Sequence, residues 1–132
     1  MTLESPSIKI STSAEDIFNY LTDLGNFEGL MPENITKFEL MGKNKFIFAL
    51  AGMPEIMLEK KIQYPNEIII LGAADGKLDF SIKINISSIE IYKCEVKILF
   101  EGKFNPMMSM MIKGPISKFI ETLAINIEKS FQ

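Results

Sequence analysis

Two neighbouring stretches of the chain alternate apolar and polar residues with little interruption. Leu78, Phe80, Ile82, Ile84 and Ile86 alternate with Asp79, Ser81, Lys83 and Asn85, and Cys94, Val96, Ile98 and Phe100 alternate with Lys93, Glu95, Lys97 and Glu101. A period of two with one oily face predicts half-buried strands of an antiparallel sheet. The same period runs back to Ile35. Ile35–Leu40 reads as a strand, and Phe46, Phe48 and Leu50 share one face of the next. Ile56, Leu58 and Ile62 line a third, and Ile68–Leu71 forms a fourth. Gly42-Lys43-Asn44, Ala51-Gly52-Met53-Pro54, Pro65-Asn66 and Ala74-Asp75-Gly76-Lys77 fall between the runs and carry the residues that turns require.

The period changes to that of a helix at both ends of this region. Asn105 is a good N-cap and Pro106 a good first helical residue. Beyond them Met108, Met111, Ile112, Ile116, Phe119, Ile120, Leu123, Ile127 and Phe131 give one broad apolar face almost to Gln132. Near the N-terminus Leu3–Ile10 predicts a first strand, with Pro6 at an edge or bulge. Ser13-Ala14-Glu15-Asp16 resembles a capping box with Asp in place of Glu. Ile17, Phe18, Leu21 and Leu24 follow at helix spacing, Gly25 is expected to end that helix, and Asn26–Met31 predicts a second short turn stopped by Pro32. The expected order is strand, two short helices, six strands and a long helix, an α+β arrangement in which the long helix rests across the sheet. No repeat, low-complexity tract or linker divides it, so residues 1–132 are expected to form one domain.

Three local features bear on function. Met107, Met108, Met110 and Met111 crowd the first turns of the long helix, and thioether side chains adapt to irregular surroundings. Gly114-Pro115 lies inside the helix. Pro115 has no N–H for the carbonyl of Met111, so a kink is expected that lifts the first turns from the sheet and leaves space beneath. Lys60 interrupts the Ile56, Leu58, Ile62 series. It either meets a ligand carboxylate inside or, by a bulge at Lys60-Lys61 or a long aliphatic stem, reaches water at the rim. The rim is the commoner outcome.

Composition narrows the chemistry. All 14 basic residues are Lys, and the net charge is -3, which disfavours nucleic acid as a partner. With no His and one Cys, the usual His-based nucleophile systems, zinc sites and intramolecular disulfides are excluded. Any catalysis has to come from Asp, Glu, Lys, Tyr or a cofactor, and no set of these stands at a fixed spacing. Glu28, Glu33, Glu55, Tyr20, Tyr64 and Tyr92 read as surface or packing groups, and Cys94 as an inert inward hydrophobe. No cofactor or metal is expected. No apolar stretch approaches the length of a membrane span, the first residues lack a secretory leader, and the lone Cys fits a cytoplasmic monomer.

The order of elements, together with Ser13–Pro32 (SAEDIFNYLTDLGNFEGLMP) and the helix start at Asn105-Pro106 with Gly114-Pro115 beyond it, resembles the START-like or SRPBCC superfamily over essentially the whole chain. The first stretch matches the family pattern at Ile17, Phe18, Leu21, Phe27, Leu30, Met31 and Pro32. The resemblance implies a helix-grip fold: a curved seven-stranded antiparallel sheet around the C-terminal helix, with a hydrophobic cavity between them. It also implies a small hydrophobic ligand, such as a lipid, polyketide or quinone-like molecule. Phe27, Met31, Met53, Phe80, Phe104, Met107 and Met111 are the expected wall residues. Two alternatives stand beside ligand binding. One is a cyclase or dehydratase acting on a polyketide-like substrate. The other is an interaction module whose methionines dock on a protein or a membrane surface.

Overall fold

The computed structural model describes residues 1–74 and 79–132. The predicted turn at Asp75-Gly76 and the strand position Leu78 lie outside the described residues. Strands β1 (Thr2–Glu4) and β2 (Ile8–Ile10) precede helix α1 (Ala14–Thr22) and a 3-10 helix, Leu24–Leu30. Six strands follow: β3 (Ile35–Leu40), β4 (Lys45–Leu50), β5 (Ile56–Tyr64), β6 (Ile68–Ala73), β7 (Asp79–Glu90) and β8 (Lys93–Lys103). Helix α2 (Pro106–Ser130) closes the order. The sheet is antiparallel throughout and runs β1-β8-β7-β6-β5-β4-β3, with β2 also paired to β8. This is the helix-grip architecture.

The first strand is split in two, and the break has a chemical cause. Pro6 cannot donate to the ladder. The adjoining Ser5, buried at 4% exposure, takes over the pairing with β8: its N–H donates to the Ile98 carbonyl and its Oγ accepts from the Ile98 N–H, both at 2.8 Å. Counted as one interrupted strand, β1 and β2 complete a seven-stranded sheet. Further along, Asn66 adopts φ 68° at the third position of the Tyr64–Glu67 turn, where Glu67 N–H donates to Tyr64 O at 3.0 Å. Gly52 does the same at φ 82° in the Leu50–Met53 turn, closed at 3.0 Å. A Pro before the left-handed residue, or Gly at it, suits this geometry.

The caps match the sequence signals, with one shift of boundary. Ser13 Oγ accepts from Asp16 N–H at 3.1 Å, while the Asp16 carboxylate accepts from Thr12 Oγ1 at 2.9 Å and does not reach back to the cap itself. Helix α1 stops at Asp23, not at Gly25. Asp23 Oδ1 accepts from Gly25 N–H at 3.1 Å and so starts the 3-10 helix directly. At α2, Asn105 Oδ1 accepts from Met108 N–H at 2.8 Å, and Pro106 occupies the first turn. Pro115 stands within a single continuous helix.

The core fills the space between the concave sheet face and α2, but only at one end. Ile120, Leu123, Ala124 and Ile127 are at most 2% exposed. They share the interior with Leu21, Leu24, Phe27 and Leu30 from the short helices, and with Ile84, Val96 and Ile98 from the sheet. Asn126 Nδ2 donates to the Leu30 carbonyl at 2.9 Å and ties α2 to the end of the 3-10 helix. Asn26 Nδ2 donates to Tyr20 O at 2.8 Å, and Lys60 Nζ to Thr22 O at 2.8 Å, so two of the open carbonyls ending α1 are satisfied. No buried side-chain polar atom lacks a partner among the described residues.

Candidate ligand cavity

The start of α2 stands away from this packed region. Met107, Met110 and Met111 are 74%, 84% and 69% exposed, and the continuously buried face begins only at Ile116. Gly114-Pro115 falls at this boundary, just before the buried face begins at Ile116, and the proline leaves the Met111 carbonyl without its helical N–H. Beneath this stretch lies a cavity of about 280 Å3. Its roof is Met108, Met111, Ile112, Pro115, Ile116 and Phe119 from α2. The floor is Phe48, Ile56, Phe80, Ile82 and Phe100 from four strands, and one side is the turn Ala51-Gly52-Met53-Pro54 together with Phe104.

Aromatic rings set the walls. A row passes from Phe27 to Phe46 (5.4 Å between centroids), Phe46 to Phe48 (5.9 Å) and Phe48 to Phe119 (5.0 Å, planes 8° apart). It begins in the packed core and ends at the cavity. A second row, Phe80 to Phe100 at 5.5 Å and Phe100 to Phe104 at 6.1 Å, forms the opposite wall. Gly102 allows the latter arrangement. A Cβ there would collide with the Phe104 ring and stand 3.0 Å from Cβ of Phe80.

Of the wall residues expected from sequence, Met53, Phe80, Phe104 and Met111 come together around the cavity. Phe27, Met31 and Met107 do not. Phe27 is 1% exposed and stacks on Phe46, and Met31 is 8% exposed within the packed core. Both belong to the 3-10 segment and its cap, which packs on the far half of α2. Met107 points to solvent, one residue out of phase, and its neighbour Met108 lines the cavity instead. Sequence reasoning also missed Ile112 and Pro115, and Ala51, Gly52 and Pro54 around Met53, as wall. The apolar helix phase already contained Met108 and Ile112.

Lys60 takes neither part in the cavity nor a ligand-facing position. Lys60 keeps the phase of Ile56 and Leu58, but its ammonium reaches the C-terminal end of α1, where a cation and a carbonyl suit each other; a register shift follows between Lys60 and Ile62, and Ile62 is 41% exposed. The tyrosines are also elsewhere. Tyr20 packs edge-on against Phe131 at 5.1 Å, and Tyr64 and Tyr92 are exposed. Glu55 pairs with Lys37 at 3.1 Å. Glu59 sits between Lys61 (2.7 Å) and Lys45 (3.4 Å), which hold its carboxyl below the usual carboxylate range. Cys94 is fully buried, and burial pushes its thiol pKa up, away from the reactive thiolate. Among the described residues, no ionisable side chain lines the cavity and no three His, Cys, Asp or Glu side chains gather as metal ligands. Nor is any described helix long and apolar enough to cross a membrane.

The fold is shared with solved structures of low sequence identity. Norcoclaurine synthase from Thalictrum flavum, as a point mutant with a transition-state analogue, superimposes at a TM-score of 0.77 with 14% identity, covering 99% of this chain and 93% of that one. The protein XoxI from Bacillus cereus gives a TM-score of 0.77 at 10% identity, over 98% of this chain and 94% of that one. A conserved protein from Geobacillus kaustophilus gives 0.71 at 16% identity, over 99% and 95%. At these identities the likeness is one of fold. No protein-family model and no curated protein matches the sequence.

Proposed function

We propose that residues 1–132 form one START-like domain that binds a small hydrophobic molecule in the cavity under α2. The observation that carries this reading is the lining itself: aromatic, aliphatic and thioether groups converge on about 280 Å3 of space. That space is roughly twice the ~150 Å3 that accommodates one benzene ring in an engineered apolar cavity. A two-ring compound or a short branched chain is therefore the expected size of guest, and a long acyl chain requires the methionine roof to move. Burying about 300 Å2 of apolar ligand surface contributes roughly 7 kcal/mol before ordering costs, which places binding near the micromolar range or weaker.

Catalysis is the less supported reading. Norcoclaurine synthase from Thalictrum flavum has been captured with dopamine and hydroxybenzaldehyde, so the fold can host an enzyme. A cyclase or dehydratase needs a group that moves a proton, and the described lining supplies no Tyr, Asp, Glu or Lys. Binding is tested by native mass spectrometry of the purified chain with solvent extraction, and by titration of a fluorescent apolar probe. Ile112→Trp adds bulk at a half-buried wall position. It should weaken probe binding by about tenfold or more, with a melting temperature within about 3 °C of the parent. Equal probe affinity in parent and variant would remove the cavity as the site.

A further inference from the structure

We propose that the methionine face at the start of α2 docks on an anionic lipid bilayer. Met107, Met110 and Met111 are more than two-thirds exposed, and Met108 joins them at 37%. Four large apolar side chains within five residues are a contiguous patch, unlike the isolated exposed hydrophobics found on most surfaces. Helix spacing sets Met107, Met110 and Met111 on neighbouring positions of one surface, with Lys113 following Met110 by three residues.

The charge along this stretch of α2 is of one sign. Between Phe104 and Ile120 the only charged residues in the sequence are Lys113 and Lys118, although the whole chain carries -3. Both lysines are exposed, and neither forms an ion pair among the described residues. Glu55, in the turn region across the cavity, is already held by Lys37. An apolar helical face whose nearest charged residues along α2 are both lysines matches the boundary between headgroups and acyl chains of a negatively charged membrane. Protein interfaces instead concentrate their energy in Trp, Tyr and Arg. The patch has none of these, and the chain has no Trp or Arg at all.

Met108 and Met111 belong to the patch and to the cavity roof alike. Docking therefore sets the opening of the cavity against the acyl region. That consequence rests on the ligand-binding reading, whereas docking itself does not.

The test is co-flotation of the full chain with vesicles of phosphatidylcholine alone or with added phosphatidylglycerol. At about 0.1 M salt the chain should float with the anionic vesicles and stay behind with the neutral ones, and about 1 M salt should release it. Met107→Ser/Met110→Ser changes two exposed side chains outside the cavity lining and should lower partitioning about tenfold or more, with apolar-probe binding unchanged. Lys113→Gln/Lys118→Gln should lower it about tenfold, and Lys9→Gln/Lys93→Gln, with the same net charge change elsewhere, should not. Because the chain lacks Trp, Met110→Trp and Tyr92→Trp provide single reporters at the patch and at the β7–β8 hairpin. Only the first should shift its emission to the blue on anionic vesicles. Failure to float, equal flotation of the methionine variant, or a shift in the Tyr92→Trp variant alone overturns the proposal. So does a stable complex with a protein, lost in the methionine variant, without vesicle binding. Loss of probe binding alone, with flotation intact, removes the cavity reading and leaves the docking surface standing.

Discussion

In the C-terminal half of α2, Ile120, Ala124 and Ile127 have no measurable exposure, whereas in its first turns Met107 and Met110 are 74% and 84% exposed. Both halves belong to one helix crossing one sheet. Three things distinguish them. The far half is tied down by Asn126 to Leu30 and by the Tyr20–Phe131 contact, and it has the 3-10 segment as an extra packing partner. The near half begins with Pro106, contains Gly114-Pro115, and faces the cavity floor and the Ala51–Pro54 turn across open space. Branched and aromatic side chains fill the first region, and flexible thioethers border the second. The molecule separates the region that keeps it folded from the region that can accommodate something else, a common division when a site needs freedom that a core does not.

The widest gap between the two regions should appear on truncation. Phe46 is fully buried and its ring lies within 6 Å of Phe27, Phe38 and Phe48. Phe46→Ala should cost about 3–5 kcal/mol in chemical denaturation, while Met111→Ala at the exposed roof should cost less than about 1 kcal/mol. Similar losses at both positions would mean that the near half is packed as firmly as the far half.

Pro115→Ala probes the boundary itself. It restores an N–H for the Met111 carbonyl and removes the ring from the helix, and should raise stability by about 1–2 kcal/mol. The same change should weaken apolar-probe binding, because a regular helix can settle closer to the sheet. A more stable protein that binds the probe equally well would separate the proline from the cavity. At the packed end, Lys60→Met leaves Thr22 O without its donor and should lower stability by about 1 kcal/mol, without altering probe binding.

The smallest effect expected is electrostatic. Glu59 has its folded pKa lowered below 4.5 by Lys61 first and Lys45 next. Its contribution is present above the ordinary carboxylate pKa and is lost as the pH falls through the lowered folded value. The group is on the surface, so the effect is minor. Comparing melting temperatures of Glu59→Gln and the parent between neutral pH and about pH 3 should show the parent losing slightly more on acidification.

Much of the fold could be read without coordinates because the signals are local. Alternation in β7 and β8 reflects the geometry of a strand with one wet face. Ser13 and Asn105 act as caps through hydrogen bonds that span three residues. Gly52 and Asn66 sit where a turn needs positive φ. Each of these depends on neighbours in sequence, so the sequence by itself determined the elements and their order.

The composition of the site depended on contacts that span the chain. Lys60 reaches across to α1, and only the packing of α1 against the sheet places the Thr22 carbonyl within its range. Phe27 and Met31 had the right character for a cavity wall but are taken up in the packed core, where Asn126 ties the end of the 3-10 helix to α2. Met108 rather than Met107 faces inward because a helix turns about 100° per residue, and the crossing of α2 over the sheet selects the phase. Side-chain type is a property of the sequence, but which side chains meet is set by how the sheet curves and where the helix leaves it.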